Sequence, residues 1–276
     1  LKADIKNLKW IDSFTKAWIS LQKAQKKEVK AILILSNYPI RDGRLANGVG
    51  LDTPASILSI LKLLKNEGYY LGEDSLPKEP KELMRLLLSN RTNSEETKSN
   101  PALAYLSLDQ YLKYWEGLSD KVKDEVVKSW QKPHQSKELE DEGFAIHGIQ
   151  FGNIILLIQP SRGYTEDNID DIHSPTLAPP HRYLAQYHWI SNHFKANLIL
   201  HMGKHGTSEW LPGKSVGLSQ NCFPQIIIPP LPYFYTFIVN DPGEGSQAKR
   251  RTHTTILDHL TPPLARSGLT NDLIEV

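Results

Sequence analysis

Apolar positions at two different spacings predict the first helices and the first strand of the chain. Across residues 8–26, apolar side chains recur every three or four positions, which predicts an amphipathic helix (Leu8, Ile11, Phe14, Trp18 and Leu21). The uninterrupted apolar run at 31–35 predicts a strand that is buried on both faces, as in a parallel sheet. A second helix is predicted at 53–67, because Thr53 can cap it, Pro54 fits its first turn and Gly68 stops it.

The middle of the chain is more polar and carries helical patterns. Helices are predicted near 82–88, at about 101–115 and at 120–131, and residues 89–100 are interpreted as a solvated loop. The charged side chains of the last of these helices are interpreted as a solvated face (Lys121, Lys123, Asp124, Glu125 and Lys128). The tryptophans fall at helical positions and are interpreted as core residues (Trp10, Trp18, Trp115, Trp130 and Trp189).

From residue 144 onward, short apolar runs predict strands at 144–150, 153–158, 197–200 and 235–239. The first two runs flank Phe151-Gly152 and predict a β-hairpin, and a helix is predicted at about 181–194. Strands that alternate with helices predict an α/β fold. We expect a mainly parallel, Rossmann-like sheet with flanking helices and a helical insertion.

This pattern divides the chain into three predicted units. Residues 1–72 form an α/β unit with an Arg/Gly-rich loop, residues 73–140 form a mostly helical segment, and residues 141–276 form a second α/β unit. The chain starts at Leu1 rather than at a methionine, and it is interpreted as an internal segment of a longer protein.

Composition argues against several classes of function. The chain has 276 residues, of which 39% are hydrophobic and 23% are charged, as in globular proteins. Its 32 Lys+Arg residues are balanced by 31 Asp+Glu residues, which argues against electrostatic binding of nucleic acid. The single cysteine, Cys222, is interpreted as a small buried apolar residue and suits a reducing, cytoplasmic location. No apolar run is long enough to predict a transmembrane helix.

The strongest chemical signal lies in residues 201–214, directly after the apolar run at 197–200. His201, His205 and Glu209 carry imidazole and carboxylate groups, which bind divalent metal ions and also transfer protons. Nearby glycines argue against a regular helix, since each costs ~1 kcal/mol relative to alanine in a helix interior. The sequence therefore predicts a candidate metal and proton-transfer site on a strand end and loop.

The residue types alone leave a plainer alternative, in which one histidine packs structurally and Glu209 caps the next helix. The setting favours a site, because four apolar runs each end in a polar loop rich in glycine or proline. In open α/β sheets, ligands bind outside the carboxyl ends of the strands. If the four strands are parallel neighbours, these side chains converge there: Arg41, Asp42, Arg44, Arg162, His201, His205, Glu209, Asp241 and Glu244. Such a crevice suits a metal ion that meets an anionic organic molecule, although each loop could also be an ordinary connection.

The motif of the candidate site resembles the signature of the large subunits of cobaltochelatase and magnesium chelatase: His201-x-Gly203-x-His205-Gly206-x-x-Glu209-Trp210-x-Pro212-Gly213-Lys214. Further motifs of this family occur in the same order along the chain: Asn37-Tyr38-Pro39, Arg44-x-x-Asn47-Gly48-x-Gly50-Leu51-Asp52-Thr53-Pro54, Gln159-Pro160-x-Arg162-Gly163 and Asn240-Asp241-Pro242-Gly243-Glu244. The resemblance implies a chelatase-type α/β fold. The amino-acid sequences at 214–218, 239–245 and 258–263 are similar to those of the cobalt branch of the family.

For function, the resemblance implies insertion of Co²⁺ into a corrin-type tetrapyrrole, hydrogenobyrinic acid a,c-diamide, in cobalamin biosynthesis. This is a ligase reaction that forms nitrogen–metal bonds. The implied partners are an AAA+ ATPase subunit that uses MgATP and a companion subunit, in keeping with the absence of a Walker A motif from this chain. Three alternatives stay open: insertion of Mg²⁺ into protoporphyrin IX, tetrapyrrole binding without catalysis, and a zinc hydrolase.

For the site residues, the resemblance implies that Glu209 accepts the pyrrole protons, and that His201 and His205 hold the metal ion together with Glu209. The residues expected to bind the tetrapyrrole are Arg44, Asn47, Asp52, Arg162, Lys214, Asp241, Glu244, Lys249, Arg250 and Arg251. For Arg250 and Arg251, an ordinary place at the C-terminal end of a helix is equally compatible with the sequence.

Overall fold

A six-stranded sheet lies at the centre of the fold. The computed structural model describes residues 4–37, 45–46, 51–163, 174–203, 207–238 and 242–259. In spatial order, the strands are β5 (Gly148–Phe151), β6 (Ile154–Ile158), β1 (Ala31–Leu35), β7 (Leu198–Met202), β8 (Tyr233–Ile238) and β9 (Thr255–His259). All neighbours are parallel except the edge pair β5–β6. The prediction of an α/β fold with a mainly parallel sheet is confirmed.

A smaller antiparallel sheet contains β2 (Ala104–Leu106), β4 (Gly143–Ile146) and β3 (Leu139–Glu140). The helices are α1 (Ile5–Lys23), α2 (Thr53–Asn66), α3 (Pro80–Leu88), α4 (Leu108–Glu116), α5 (Asp120–Trp130), α6 (His181–Trp189), α7 (Phe223–Ile227) and α8 (Pro242–Arg251). A π-helical turn, Ile190–Phe194, extends α6. Within the described residues, no helix is both long enough and apolar enough to cross a membrane.

Helices cover both faces of the six-stranded sheet. Successive side chains of a strand point to opposite faces, so each strand contributes to two cores. In β1, Ile32 and Ile34 belong to one core together with side chains of α4, α5 and α6. Leu33 and Leu35 belong to the other core, with side chains of α2 and α3. Every residue of β1 is buried, as the continuous apolar run predicts. The strand β1 therefore connects the first predicted unit to the sheet of the third, and the unit boundaries at residues 72 and 140 stay predictions.

Two predicted elements differ from the structure, one because it is divided and one because it begins later. The predicted strand at 144–150 is two strands, β4 and β5, which belong to different sheets. At Gly148, where β5 begins, a Cβ would collide with the carbonyl oxygen of Leu156, so β5 and β6 approach each other more closely than a side chain allows. The predicted helix at 101–115 begins only at Leu108, because Ser107 and Gln110 form a capping box there.

The helix α1 is amphipathic as predicted, but its apolar residues are not a core. None of its residues is buried, and Leu8 and Ile11 are 49% and 54% exposed. Trp10 and Trp18 pack against His253 and Phe234 and stay half-buried, as does Trp130. Trp115 and Trp189 are buried as predicted. The core assignment was wrong for the other three, because a helical spacing of apolar residues does not determine how much of the helix is covered.

Candidate functional site

The carboxyl ends of the parallel strands meet at one edge of the six-stranded sheet. Leu35 pairs in register with Ile158 on one side and with Met202 on the other. Just beyond these pairs, the Gln159 amide donates to the carbonyl oxygen of Leu35, and the Ser36 amide donates to that of Met202. The strands β1, β6 and β7 therefore end side by side, and the residues that follow them begin at the same edge of the sheet, as the predicted crevice requires.

His201 is the fourth residue of β7, and its side chain is 1% exposed. The ring meets the ring of Tyr235 edge-on, with 4.6 Å between the centroids. Neither ring nitrogen has a hydrogen-bond partner within the described part of the chain. Burial lowers the pKa of His201 to about 3, so the imidazole is neutral at physiological pH. The neutral form is the one that binds metal ions.

The depressed pKa predicts that His201 makes stability depend on pH. Below the ordinary value of 6.5, the unfolded chain binds a proton that the folded chain does not accept until pH approaches about 3. Folding is therefore disfavoured as pH falls, and the contribution of this residue declines by about 2 kcal/mol between about pH 7.5 and about pH 5. Urea unfolding of the native chain and of His201→Asn at both pH values measures this difference.

The matched control for this prediction is His134→Asn, because His134 is exposed. We expect the control to keep the pH dependence of the native chain and His201→Asn to show a flatter one. An unchanged pH dependence in His201→Asn would contradict the burial argument. Absolute stability is not the readout, since removal of a buried ring is destabilising at any pH.

Glu209 lies in the 3₁₀ turn Ser208–Trp210, shortly after β7, and is 2% exposed. The Ser208 hydroxyl donates to its Oε2 at 3.2 Å. Burial chiefly raises the pKa values of Tyr183 and Tyr233, and the Glu209 charge raises both further, which places the carboxylate near these phenols. The alternative that Glu209 caps the next helix is wrong, since α7 begins only at Phe223. The site therefore contains a buried carboxylate.

Arg251 holds the segment that follows Glu209. Its guanidinium donates to three backbone carbonyl oxygens: those of Glu209 at 2.6 Å, Leu211 at 2.7 Å and Lys214 at 3.1 Å. The side chain is 7% exposed, and burial lowers its pKa while the charge of Glu209 acts in the opposite direction. Arg251 thus shapes the main chain of the site, whereas Arg250 and Lys249 are exposed in the last turn of α8.

Arg162 lies beyond the end of β6 and is 2% exposed. It donates to the carbonyl oxygens of Leu177 at 2.8 Å and Ser174 at 3.3 Å. Burial raises the pKa of Tyr183, and the charge of Arg162 partly offsets this. Burial lowers the pKa of Arg251, and the charge of Arg162 lowers it further. Arg162, Arg251 and Glu209 are therefore brought within electrostatic reach of one another.

A hydrogen-bonded network beside Glu209 was missed by the sequence analysis. The side-chain Nε2 of Gln159 donates to the hydroxyls of Tyr183 at 2.7 Å and Thr207 at 3.0 Å. Its side-chain Oε1 accepts from the hydroxyl of Tyr187 at 3.0 Å. The hydroxyls of Tyr183 and Thr207 are 2.8 Å apart. The spacing of the two tyrosines, four residues apart on α6, was the available signal. Their network joins the end of β6 to the loop that carries Glu209.

The other predicted site residues are distributed around this centre. Glu244 is buried and accepts a hydrogen bond from Tyr235 at 3.0 Å. Asp52 is exposed and accepts from the Ala55 amide at the start of α2. Lys214 is exposed on the loop held by Arg251. The remaining predicted residues lie outside the described residues: Arg41, Asp42, Arg44, Asn47, His205 and Asp241.

The interpretation of Cys222 as a merely apolar residue was incomplete. The residue is buried, but its sulfur accepts from the backbone amides of Ser219 at 3.4 Å and Lys214 at 3.5 Å. Burial alone would raise the pKa of the thiol, and these hydrogen bonds lower it below its ordinary value. Cys222 therefore fixes the loop that carries Lys214.

The described residues contain no cluster of three or more histidine, cysteine, aspartate or glutamate side chains arranged to hold a metal ion. His205, the second predicted imidazole ligand, lies outside them. Of the predicted metal ligands, the structure describes His201 in β7 and Glu209 in the turn that follows it. The three-ligand set stays a prediction.

Comparison with known proteins places the chain in a family. The model of the CobN/Magnesium Chelatase family matches residues 2–276. The chain belongs to this family. It is 46% identical over 250 residues to aerobic cobaltochelatase subunit CobN of Sinorhizobium sp, and 33% identical over 260 residues to the H-type magnesium-chelatase subunit of Chlorobaculum parvum. These alignments cover 91% and 94% of the chain but 19% and 20% of the relatives.

A solved structure agrees with this assignment. The catalytic subunit of cobaltochelatase from Mycobacterium tuberculosis superimposes with a TM-score of 0.84 at 34% identity, and the match covers 99% of this chain and 23% of that one. The chain thus spans about a fifth of the length of the relatives it matches. The sequence resemblance to the family is confirmed.

Proposed function

We propose that this chain carries the metal-insertion centre of a cobaltochelatase, which inserts Co²⁺ into the corrin-type tetrapyrrole hydrogenobyrinic acid a,c-diamide. One observation carries the proposal: a neutral, buried imidazole and a buried carboxylate follow each other at the carboxyl end of the central strand β7. Both are chemically suited to the two tasks of the reaction, which are holding a divalent cation and accepting protons.

In this proposal, Glu209 accepts the ring N–H proton that the metal ion displaces as it enters the corrin-type macrocycle. His201, together with His205, holds Co²⁺, the substrate of the reaction, with open coordination positions toward the ring. The carboxylate of Glu209 also offsets the charge of the ion. The Ser208 hydroxyl, which donates to Glu209, orients the carboxylate, and burial keeps it away from bulk water.

The proposed partners are an AAA+ ATPase subunit that hydrolyses MgATP and its companion subunit. The family resemblance implies these partners, and this chain itself contains no Walker A motif. Cobalt is favoured over magnesium because identity to the cobaltochelatase relative is 46%, against 33% for the magnesium-chelatase relative. Insertion of Mg²⁺ into protoporphyrin IX is the second candidate, since the same imidazole and carboxylate chemistry serves either ion.

Titration of the chain with tetrapyrroles tests the proposal. We expect hydrogenobyrinic acid a,c-diamide to quench the tryptophan fluorescence saturably, and protoporphyrin IX to bind at least tenfold more weakly, about 1.4 kcal/mol in binding free energy. Tighter binding of protoporphyrin IX would favour the magnesium candidate. Absence of binding for both ligands would contradict the assignment of the tetrapyrrole site to this chain.

A further inference from the structure

A cavity of about 820 Å³ lies between α5, the segment 174–177 and the loop 212–222. Cavities of this size hold organic ligands of drug size and larger. Its lining includes three lysines and one glutamate: Lys121, Glu125, Lys128 and Lys214. The cavity is therefore large enough for an organic molecule, and its charged groups are mainly positive.

Of the three lysines that line this cavity, one has a neighbouring carboxylate. Lys121 is 3.8 Å from Glu125, a loose contact between exposed side chains. Lys128 and Lys214 form no ion pair among the described residues. By contrast, Lys123 on the same helix does not line the cavity, and it pairs with Asp120 at 3.5 Å. The positive charge is thus concentrated on the side of α5 that faces the cavity.

The rest of the lining suits the body of an organic ligand. The lining also includes the apolar side chains of Pro175, Leu177, Pro212 and Cys222. An apolar surface flanked by ammonium groups fits a ligand with an apolar body and several peripheral carboxylates. A small inorganic anion would leave most of this surface uncovered.

The cavity wall and the proposed reaction centre share one loop, although neither His201 nor Glu209 lines the cavity. Arg251 donates to the carbonyl oxygens of both Lys214 and Glu209, so the cavity wall and the carboxylate belong to one braced segment. Hydrogen bonds to the sulfur of Cys222 fix the same loop at the Lys214 and Ser219 amides. A ligand bound in the cavity therefore reaches the segment that carries Glu209.

We infer that this cavity binds the peripheral carboxylates of the tetrapyrrole, with Lys121 and Lys128 of α5 acting together with Lys214. The inference rests on the proposed function for the identity of the ligand. It assigns binding roles to two lysines that the sequence pattern alone indicates only as a solvated face. Since the contacts are charge-assisted, they select the ionised carboxylates and weaken as salt increases.

The test compares the double variant Lys121→Gln/Lys128→Gln with the native chain in two binding titrations. The ligands are hydrogenobyrinic acid a,c-diamide and its methyl ester in which every carboxylate is esterified. For the free acid at low salt, we expect the variant to bind about tenfold more weakly, with the difference shrinking at high salt. For the uncharged ester, we expect equal affinities. The control variant Lys123→Gln removes a charge from the same helix outside the cavity and is expected to bind both ligands like the native chain.

The possible results distinguish failure of the inference from failure of the proposed function. Equal affinity of the native chain and the double variant for the free acid overturns the inference alone. An equal loss for acid and ester also overturns it, because that pattern indicates a structural effect of the substitutions. If the native chain binds neither the corrinoid nor protoporphyrin IX, the proposed function fails, and the inference fails with it.

Discussion

Replacing Glu209 by glutamine is expected to abolish metal insertion while leaving tetrapyrrole binding intact. Glutamine keeps the shape of the buried side chain but cannot accept a pyrrole proton. Loss of a positioned general base typically lowers a rate by about 10² to 10⁴-fold. The measurement is the rate of Co²⁺ insertion by a chimera in which this chain replaces the matching segment of the Sinorhizobium cobaltochelatase subunit, assayed with its partner subunits and MgATP.

The control for this prediction is Glu95→Gln, which removes a carboxylate whose side chain is 89% exposed. We expect the control to insert Co²⁺ at the rate of the unsubstituted chimera. Titration of Glu209→Gln with the corrinoid, followed by tryptophan fluorescence, shows whether binding survives. Insertion by Glu209→Gln at near the unsubstituted rate would rule out the role of this carboxylate as the base.

Replacing Arg251 by methionine is expected to lower the free energy of unfolding by about 3 kcal/mol. The substitution leaves the carbonyl oxygens of Glu209, Leu211 and Lys214 without the donors that now reach them. A buried polar group that loses its partner costs about 1–3 kcal/mol, and relaxation of the loop recovers part of the sum. Urea unfolding of the chain measures the change. Because the same segment carries Glu209, insertion by the corresponding chimera is expected to fall as well.

Arg250→Met is the matched control, since Arg250 is the preceding residue of α8 and is exposed. We expect it to change the free energy of unfolding by less than about 0.5 kcal/mol. Arg251→Lys is expected to be nearly as destabilising as Arg251→Met, because an ammonium group cannot match the planar fork of the guanidinium. Equal stabilities of Arg251→Met and Arg250→Met would show that the three hydrogen bonds do not brace the loop.

Much of the central sheet could be predicted from local sequence, for a physical reason. A parallel strand covered on both faces needs an uninterrupted apolar run, and the run at 31–35 is β1 itself, with every residue buried. Where the prediction failed, the cause was not local. The run at 144–150 predicts one strand, but its two halves pair with strands of different sheets on either side of His147. Strand partners are set by tertiary contacts, which a run of apolar residues does not specify.

The candidate site shows the same division. His201 and Glu209 could be selected from the sequence because metal-binding residue types follow a strand among glycines and prolines, and the structure buries both. The hydrogen bonds from Gln159 to Tyr183 and Thr207 could not be selected, because they join residues from three separate parts of the chain. The role of Arg251 was likewise out of reach: an arginine at a helix end binds either a ligand or backbone carbonyls, and only the fold distinguishes them.

The lysines of α5 illustrate how a charge pattern underdetermines function. Along the sequence, Lys121, Lys123 and Lys128 are equivalent members of an exposed polar face. In the fold, Lys123 pairs with Asp120 away from the cavity, whereas Lys121 and Lys128 line the cavity that Lys214 completes, and Lys121 pairs there with Glu125. The difference depends on which side of the helix faces the loop 212–222, and that loop is distant along the chain.

The rate of metal insertion by the unsubstituted chimera tests the central claim most directly. The account predicts ATP-dependent insertion of Co²⁺ into hydrogenobyrinic acid a,c-diamide, detected by the absorbance change of the corrinoid. The same chain placed in the magnesium-chelatase relative from Chlorobaculum is expected to support insertion of Mg²⁺ into protoporphyrin IX poorly. A folded cobaltochelatase chimera that binds the corrinoid and its partner subunits but inserts no Co²⁺ would contradict the claim that this chain carries the insertion centre.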